Sequence, residues 1–303
     1  MKLFGFNKIE KSLLDNFNNN NLHHGLLFTG GKGIGKASFV LDFATKILLS
    51  SSKNQEEDLK KIQQQSHPDL LIVKKDQKKR DISVEAVREI SQFLSLTSAI
   101  SKHRVIIIDA VDDLNKNSNN AILKTLEEPP QNVFIFLVNH NQRKLLDTIK
   151  SRCRTIKISS PSYEDFKTVL KKNFDGIDEE EIRVLAKISD NSIGSAIEMK
   201  NYGALELYNQ IEQLALENNK KEVFNLAKSV AGSDESWTIF EKLVIFYFYN
   251  LLYQHLSGAN QQKIFTALDK VNNLFLVTRN LNLDKSQSVI NIFNMLGQIE
   301  KLA

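Results

Sequence analysis

The stretch Leu26–Ser38 reads L-L-F-T-G-G-K-G-I-G-K-A-S and carries the first chemical signal in the chain. Gly30, Gly35 and Lys36 fit the spacing G-x-x-x-x-G-K, with Gly33 inside the turn. Glycines let a backbone wrap round a phosphate, a helix N-terminus aims its N–H groups at it, and a lysine adds a point charge. The chemistry would be the binding of nucleotide phosphates. A hydroxyl at the next position would hold Mg²⁺, but that residue is Ala37. Ser38 follows, about 100° further round a helix and so out of register for the task.

A second candidate is Asp109, at the end of V-I-I-I-D. A P-loop ATPase holds Mg²⁺ through the loop hydroxyl and a strand-end acid, and it needs a group that positions the attacking water. Asp109 has the type and place of the strand-end acid. Arg152, in S-R-C, stands just before an exposed strand, beyond the Asn139 strand end. Such an arginine can project into a neighbouring subunit's nucleotide, or it can serve in a surface ion pair; spacing alone leaves both readings open. Cys153 has no histidine base near it in sequence and reads as a small buried hydrophobe. The histidines at 23, 24, 67, 103, 140 and 255 show no metal spacing, and one cysteine cannot supply a zinc signature.

These residues need elements to position them. Leu26–Phe28 is a short strand signal, and Lys36–Leu49 has helical spacing with one apolar face. The polar stretch 50–65 has no strong pattern; Leu70–Val73 is a strand. Lys74, Lys75, Lys78, Lys79 and Arg80 form a basic hairpin-like connection, read as a solvated turn in preference to a nucleic-acid contact. Ser83 caps a helix that buries Val84, Val87, Ile90 and Phe93. Val105–Ile108 and Val133–Val138 are runs typical of parallel strands covered on both faces. A helix over Asn117–Glu128 ends at Pro129-Pro130. A short helix over Leu145–Lys150 and a strand over Thr155–Ile158 complete the alternation, which predicts a parallel α/β sheet. Ligands sit at the carboxyl ends of such strands, where the glycine loop, Asp109 and Asn139 all fall. After Pro161 only helices are predicted: Tyr163–Asn173, Glu179–Ser189, Ser195–Asn201, Leu205–Asn218, Lys221–Ala231, Glu235–His255, Gln261–Leu281 and Lys285–Leu302. Trp237, Phe240, Leu243, Phe246, Tyr247 and Leu251 form a wide apolar face, read as helical-bundle core.

The bulk numbers are those of an ordinary globular chain: 303 residues, 42% hydrophobic, 25% charged, net charge +4. No apolar run is long enough to span a membrane, and the N-terminus lacks the apolar core of a signal peptide. The lone cysteine fits a reducing cytoplasm. The mild basic excess permits nucleic-acid contact without demanding it, and neither a helix–turn–helix nor a strongly basic face is evident.

The run S-N-N-A-I-L-K-T-L-E-E-P-P (Ser118–Pro130), followed by T-I-K-S-R-C (Thr148–Cys153), resembles the clamp-loader subunits of bacterial DNA polymerase III. The L-H-H-G-L-L-F-T-G-G-K-G-I-G-K start, S-H-P-D at Ser66–Asp69 and V-I-I-I-D-A match the family's order, and the delta-prime branch fits best. The resemblance covers about residues 20–200. It implies an AAA+ P-loop α/β domain (1–160), a helical lid (161–203) and an all-α collar for oligomerisation (204–303). It also implies a complex with tau/gamma and delta subunits that loads the beta sliding clamp on primer–template DNA. Arg152 matches the arginine finger that delta-prime supplies in trans to a tau/gamma subunit.

Departures from the family pattern sharpen this expectation. Active members carry Ser or Thr after the loop lysine, a Glu after the strand-end Asp, and an Arg after the lid G-S. Here Ala37, Ala110 and the residues after Gly194-Ser195 lack all three. The expectation is therefore an ATPase-deficient subunit with a degenerate P-loop (Gly30, Gly33, Gly35, Lys36) and a degenerate strand-end acid (Asp109). It needs no cofactor, and ATP or ADP would at most bind weakly. The four-cysteine zinc module of many members has no cysteine to build it here, so zinc is not expected. The competing reading is an active tau/gamma-like ATPase.

Overall fold

Five short strands form one parallel sheet in the order β2-β3-β4-β1-β5: β1 Gly25–Thr29, β2 Leu70–Lys74, β3 Arg104–Asp109, β4 Val133–Asn139 and β5 Arg154–Lys157. They belong to a computed structural model that describes residues 6–75, 81–140, 145–217, 219–254 and 259–300. Central strands buried on both faces must be apolar at successive positions. Leu26, Leu27 and Phe28 of β1 and Val105–Ile108 of β3 meet that demand, and all are buried. Strands β2 and β5 are the two edges, and the residues of β5 are largely exposed.

Side chains alternate between the two faces. On one face, Leu26, Phe28, Val105, Ile107, Phe136 and Val138 pack with Phe39, Val40, Phe43 and Ile47 of α2 (Lys36–Leu49), and with Leu13 of α1 (Asn7–Asn18). Ile62 of α3 (Gln55–Gln63) joins the same cluster. This helix lies in the stretch without a strong pattern. Its start is set by Asn54, whose side chain accepts from the Glu57 amide, and by acids in the first turn. On the other face, Leu27, Ile106, Ile108, Ile135 and Leu137 pack with Ile90 of α4 (Val84–Ser95), Ile122 and Leu126 of α5 (Lys116–Glu127), and Ile149 of α6 (Asp147–Lys150). The short helix expected from Leu145 begins only at Asp147.

The S-H-P-D element is structural. Asp69 is fully buried and accepts the backbone N–H groups of Ala99, Ile100 and Ser101, each at 2.8 Å. The Arg104 guanidinium lies 3.8 Å from its carboxylate and 3.8 Å from the Phe93 ring centroid. One carboxylate therefore shapes the whole entry to β3. Of the basic turn, Lys75 pairs with Asp113 at 3.4 Å, while Lys78, Lys79 and Arg80 lie outside the described residues, as does His255.

Beyond β5 the described residues contain only helices: α7 Tyr163–Asn173, α8 Glu179–Ser189, α9 Ile193–Asn201, α10 Ala204–Glu217, α11 Lys220–Ala231, α12 Asp234–Gln254, α13 Ala259–Leu281 and α14 Lys285–Glu300. The chain forms two compact units: Met1–Lys172 with Asn191–Ser195, and Asn173–Asp190 with Ala196–Ala303. In the second, Trp237, Phe240, Leu243, Tyr247 and Leu251 of α12 are buried, as the apolar pattern predicts. Phe246 is half-buried, its ring 5.4 Å from that of Tyr208. Among the described residues no helix is long and apolar enough to cross a membrane.

Candidate functional site

The glycine loop joins β1 to α2, as strand, turn and helix in that order predict. Gly30 leaves the sheet beside Ile158, and a Cβ there would run into the Ile158 carbonyl. Gly33 has φ +81°, a conformation that side chains with a Cβ disfavour. Gly35 is the N-cap of α2 and brings no side chain to the free N–H groups. Those groups retain the form of an anion seat.

Lys36 is 2% exposed, and its ammonium turns back into the loop, donating to the carbonyls of Gly30 at 2.9 Å and Gly31 at 2.5 Å. Burial lowers its pKa from 10.5 to about 8, against the opposing pull of Asp112 and Asp109. The loop crest is held from the other side. Ser192 Oγ donates to the Lys32 carbonyl at 2.9 Å, and the Gly194 N–H donates to the Gly33 carbonyl at 2.8 Å. Gly194, in a segment that belongs to the α/β unit, is thus a backbone contact of the loop.

Strands β3, β4 and β1 are neighbours, so Asp109, Asn139 and the glycine loop emerge side by side. His140 Nε2 lies 3.6 Å from Asp109 Oδ1. Asp112 Oδ1 accepts from the His140 N–H at 3.0 Å and from Asn139 Nδ2 at 3.3 Å. Asp112 carries no signal in the sequence, and His140 counts there only as one of six histidines without metal spacing. Asp112 reaches the site through the tight turn Val111–Asp113, and His140 through the adjacency of β4 and β3. Ala110 is buried at 2% exposure, Ala37 is half-buried, and Ser38 is exposed on α2. The loop has the strand–turn–helix form of a P-loop but lacks the hydroxyl that would complete a Mg²⁺ position. Among the described residues no group of three or more His, Cys, Asp or Glu side chains is arranged to hold a metal ion.

Arg152 lies apart from these groups, at the opposite, N-terminal end of β5. Its Nη1 donates to the Thr148 carbonyl at 2.9 Å and to Ser151 Oγ at 3.3 Å, while Nη2 donates to Glu127 Oε1. Its side chain remains 33% exposed. Cys153 is half-buried against the core, and burial pushes its thiol up to about 12, which disfavours the nucleophilic thiolate.

A glycine loop capping a helix on a five-stranded parallel sheet, with an acid ending the neighbouring strand set, defines a P-loop α/β fold of the AAA+ kind. A Thermotoga maritima protein related to the DNA polymerase III gamma subunit has the same fold: TM-score 0.53, 18% identity, 97% of this chain and 99% of that one covered. The family model described as "DNA polymerase III, delta subunit" matches residues 5–162, and the chain belongs to that family. It is 29% identical over 252 residues to DNA polymerase III subunit gamma of Buchnera aphidicola, covering 77% of this chain and 67% of that protein. It is 29% identical over 135 residues to subunit delta' of Pseudomonas aeruginosa, covering 43% of this chain and 41% of that protein.

Proposed function

We propose that this chain is a delta-prime-like subunit of a cytoplasmic DNA polymerase III clamp loader. In that role it assembles with tau/gamma and delta subunits to place the beta sliding clamp on primer–template DNA. It does not hydrolyse ATP itself, and it supplies Arg152 to the nucleotide site of an adjacent tau/gamma subunit. The observation that carries this reading is the state of its own loop. Ala37 stands where a Mg²⁺-binding hydroxyl is required and Ala110 where a water-activating glutamate is, and Lys36 is bonded to the loop's own carbonyls. A guanidinium partly open to solvent can stabilise charge in phosphoryl transfer, an effect worth roughly 10³–10⁵ in rate for fingers supplied in cis or in trans.

The second reading, an active gamma-like ATPase, is favoured by the longer match to a protein named as a gamma subunit. ATP turnover separates the two. The isolated chain should show none above background, and Arg152→Ala should leave the reconstituted complex assembled while slowing its DNA-dependent hydrolysis. Steady turnover by the isolated chain, abolished by Lys36→Ala, would establish the second reading instead.

A further inference from the structure

Glu127 is the last residue of α5, and Glu128 follows it at the helix C-terminus. The helix macrodipole is negative at that end, so a carboxylate there is disfavoured and a cation beside it is favoured. Lys124 stands in the same last turn, and the cation bonded to Glu127 itself is Arg152, 25 residues further along the chain. Its guanidinium is gripped on two sides. The end of α6 takes Nη1 through Thr148 and Ser151, and Glu127 takes Nη2. Both side chains of the ion pair keep solvent access, at 33% for Arg152 and 47% for Glu127. An incoming anion can therefore reach the guanidinium without unfolding anything.

Carboxylate and phosphate oxygens engage the same planar fork of N–H donors. We infer that Glu127 is a positioning residue that holds Arg152 as an internal stand-in for phosphate. Arg152 then leaves Glu127 for the phosphate oxygens of the neighbouring subunit's nucleotide. This rests on the finger role proposed above. The exchange swaps one anionic partner for another, with no proton transferred. The Thr148 and Ser151 contacts fix the base of the guanidinium, and Glu127 sets how tightly its far edge is retained between encounters. Competition of this kind acts on the binding of the partner's nucleotide more than on the chemical step.

The test uses the charge-neutral isostere Glu127→Gln in the complete chain. In the isolated protein, phenylglyoxal modification of Arg152, followed by site-resolved mass spectrometry, should accelerate roughly two- to fivefold, the scale of one exposed ion pair. In a complex reconstituted with ATP-hydrolysing tau/gamma subunits, the KM for ATP should fall by a similar factor with kcat within about twofold. Glu127→Asp, which keeps the charge, should restore most of the wild-type KM. Unchanged Arg152 reactivity and KM in Glu127→Gln, with turnover still lost in Arg152→Ala, overturn the holding role alone. Unchanged turnover in Arg152→Ala overturns the finger reading and the holding role with it.

Discussion

The Lys36 ammonium donates to the Gly30 carbonyl 2.9 Å away, so the loop's own cation is bonded to the loop's own backbone. This ammonium is buried, and the consequence is a pH-dependent stability. Its folded pKa of about 8 lies below the 10.5 of an unperturbed lysine. Below pH 8 the group is protonated in both states, and folding bears the full cost of burying the charge. Between those two values the unfolded chain binds more protons, so stability rises with pH, and above the upper one the cost is gone. Lys36→Met removes the group. Its advantage in unfolding free energy relative to wild type should shrink by about 2–3 kcal/mol between pH 7 and pH 10. Urea titrations followed by circular dichroism at both pH values measure it. A difference that does not move with pH would mean that Lys36 is solvated.

The missing hydroxyl at Ala37 gives a gain-of-function prediction. Ala37 is half-buried at the first turn of α2, whereas Ser38 is exposed. Ala37→Thr places an oxygen where a P-loop holds Mg²⁺. It should strengthen ATP binding roughly tenfold in the presence of Mg²⁺ and leave it unchanged in EDTA, the scale of one added interaction with a charged group. Titration calorimetry with and without Mg²⁺ reads the contrast. Equal affinities under the two conditions would show that the bonds at Lys36 and Ser192, and not Ala37, govern the loop.

The glycine loop, Lys36 and Asp109 were legible in the sequence because strand, turn and helix follow one another locally and encode their own geometry. The central strands were legible for a related reason, since only burial on both faces demands runs such as Val105–Ile108. Helix α3 was hidden because it offers only two large apolar residues, Leu59 and Ile62, and Leu59 is 38% exposed. Asp112, His140 and Glu127 were hidden because each acts through a neighbour that only the tertiary fold brings close. The place of Asp69 in S-H-P-D could be read, but its three amide partners lie at least 30 residues away.

Those partners make Asp69 the most exacting polar position in the α/β unit. Replacing it by alanine orphans three backbone N–H groups and leaves the Arg104 guanidinium without its carboxylate. Removing one member of a buried charge pair typically costs about 3–5 kcal/mol. Asp69→Ala should show a loss on that scale, and Asp69→Asn, which keeps one acceptor oxygen, a smaller one. Amide hydrogen exchange at Ala99, Ile100 and Ser101 should accelerate in the alanine variant before exchange in β4 does. Unchanged protection at those three amides would refute the role assigned to Asp69.

The helical unit permits a matched pair of substitutions on α12. Phe240 is fully buried, with ring centroids 6.2 Å from Trp237 and 6.4 Å from both Phe275 and Phe293. Tyr249 is 59% exposed on the same helix. Truncating a buried aromatic forfeits its transfer free energy and leaves a cavity, for a typical cost of about 3–5 kcal/mol. Truncating an exposed one usually changes stability by less than about 0.5 kcal/mol. Trp237 is the single tryptophan of the chain and packs edge-on against Phe275 at 5.5 Å, so its fluorescence reports this unit. Urea unfolding followed at Trp237 should therefore shift strongly for Phe240→Ala and hardly at all for Tyr249→Ala. A comparable loss in both would mean that the Tyr249 side of α12 is covered in solution, by a second copy of the chain. Sedimentation of the wild-type protein over a range of concentrations would then have to show that dimer.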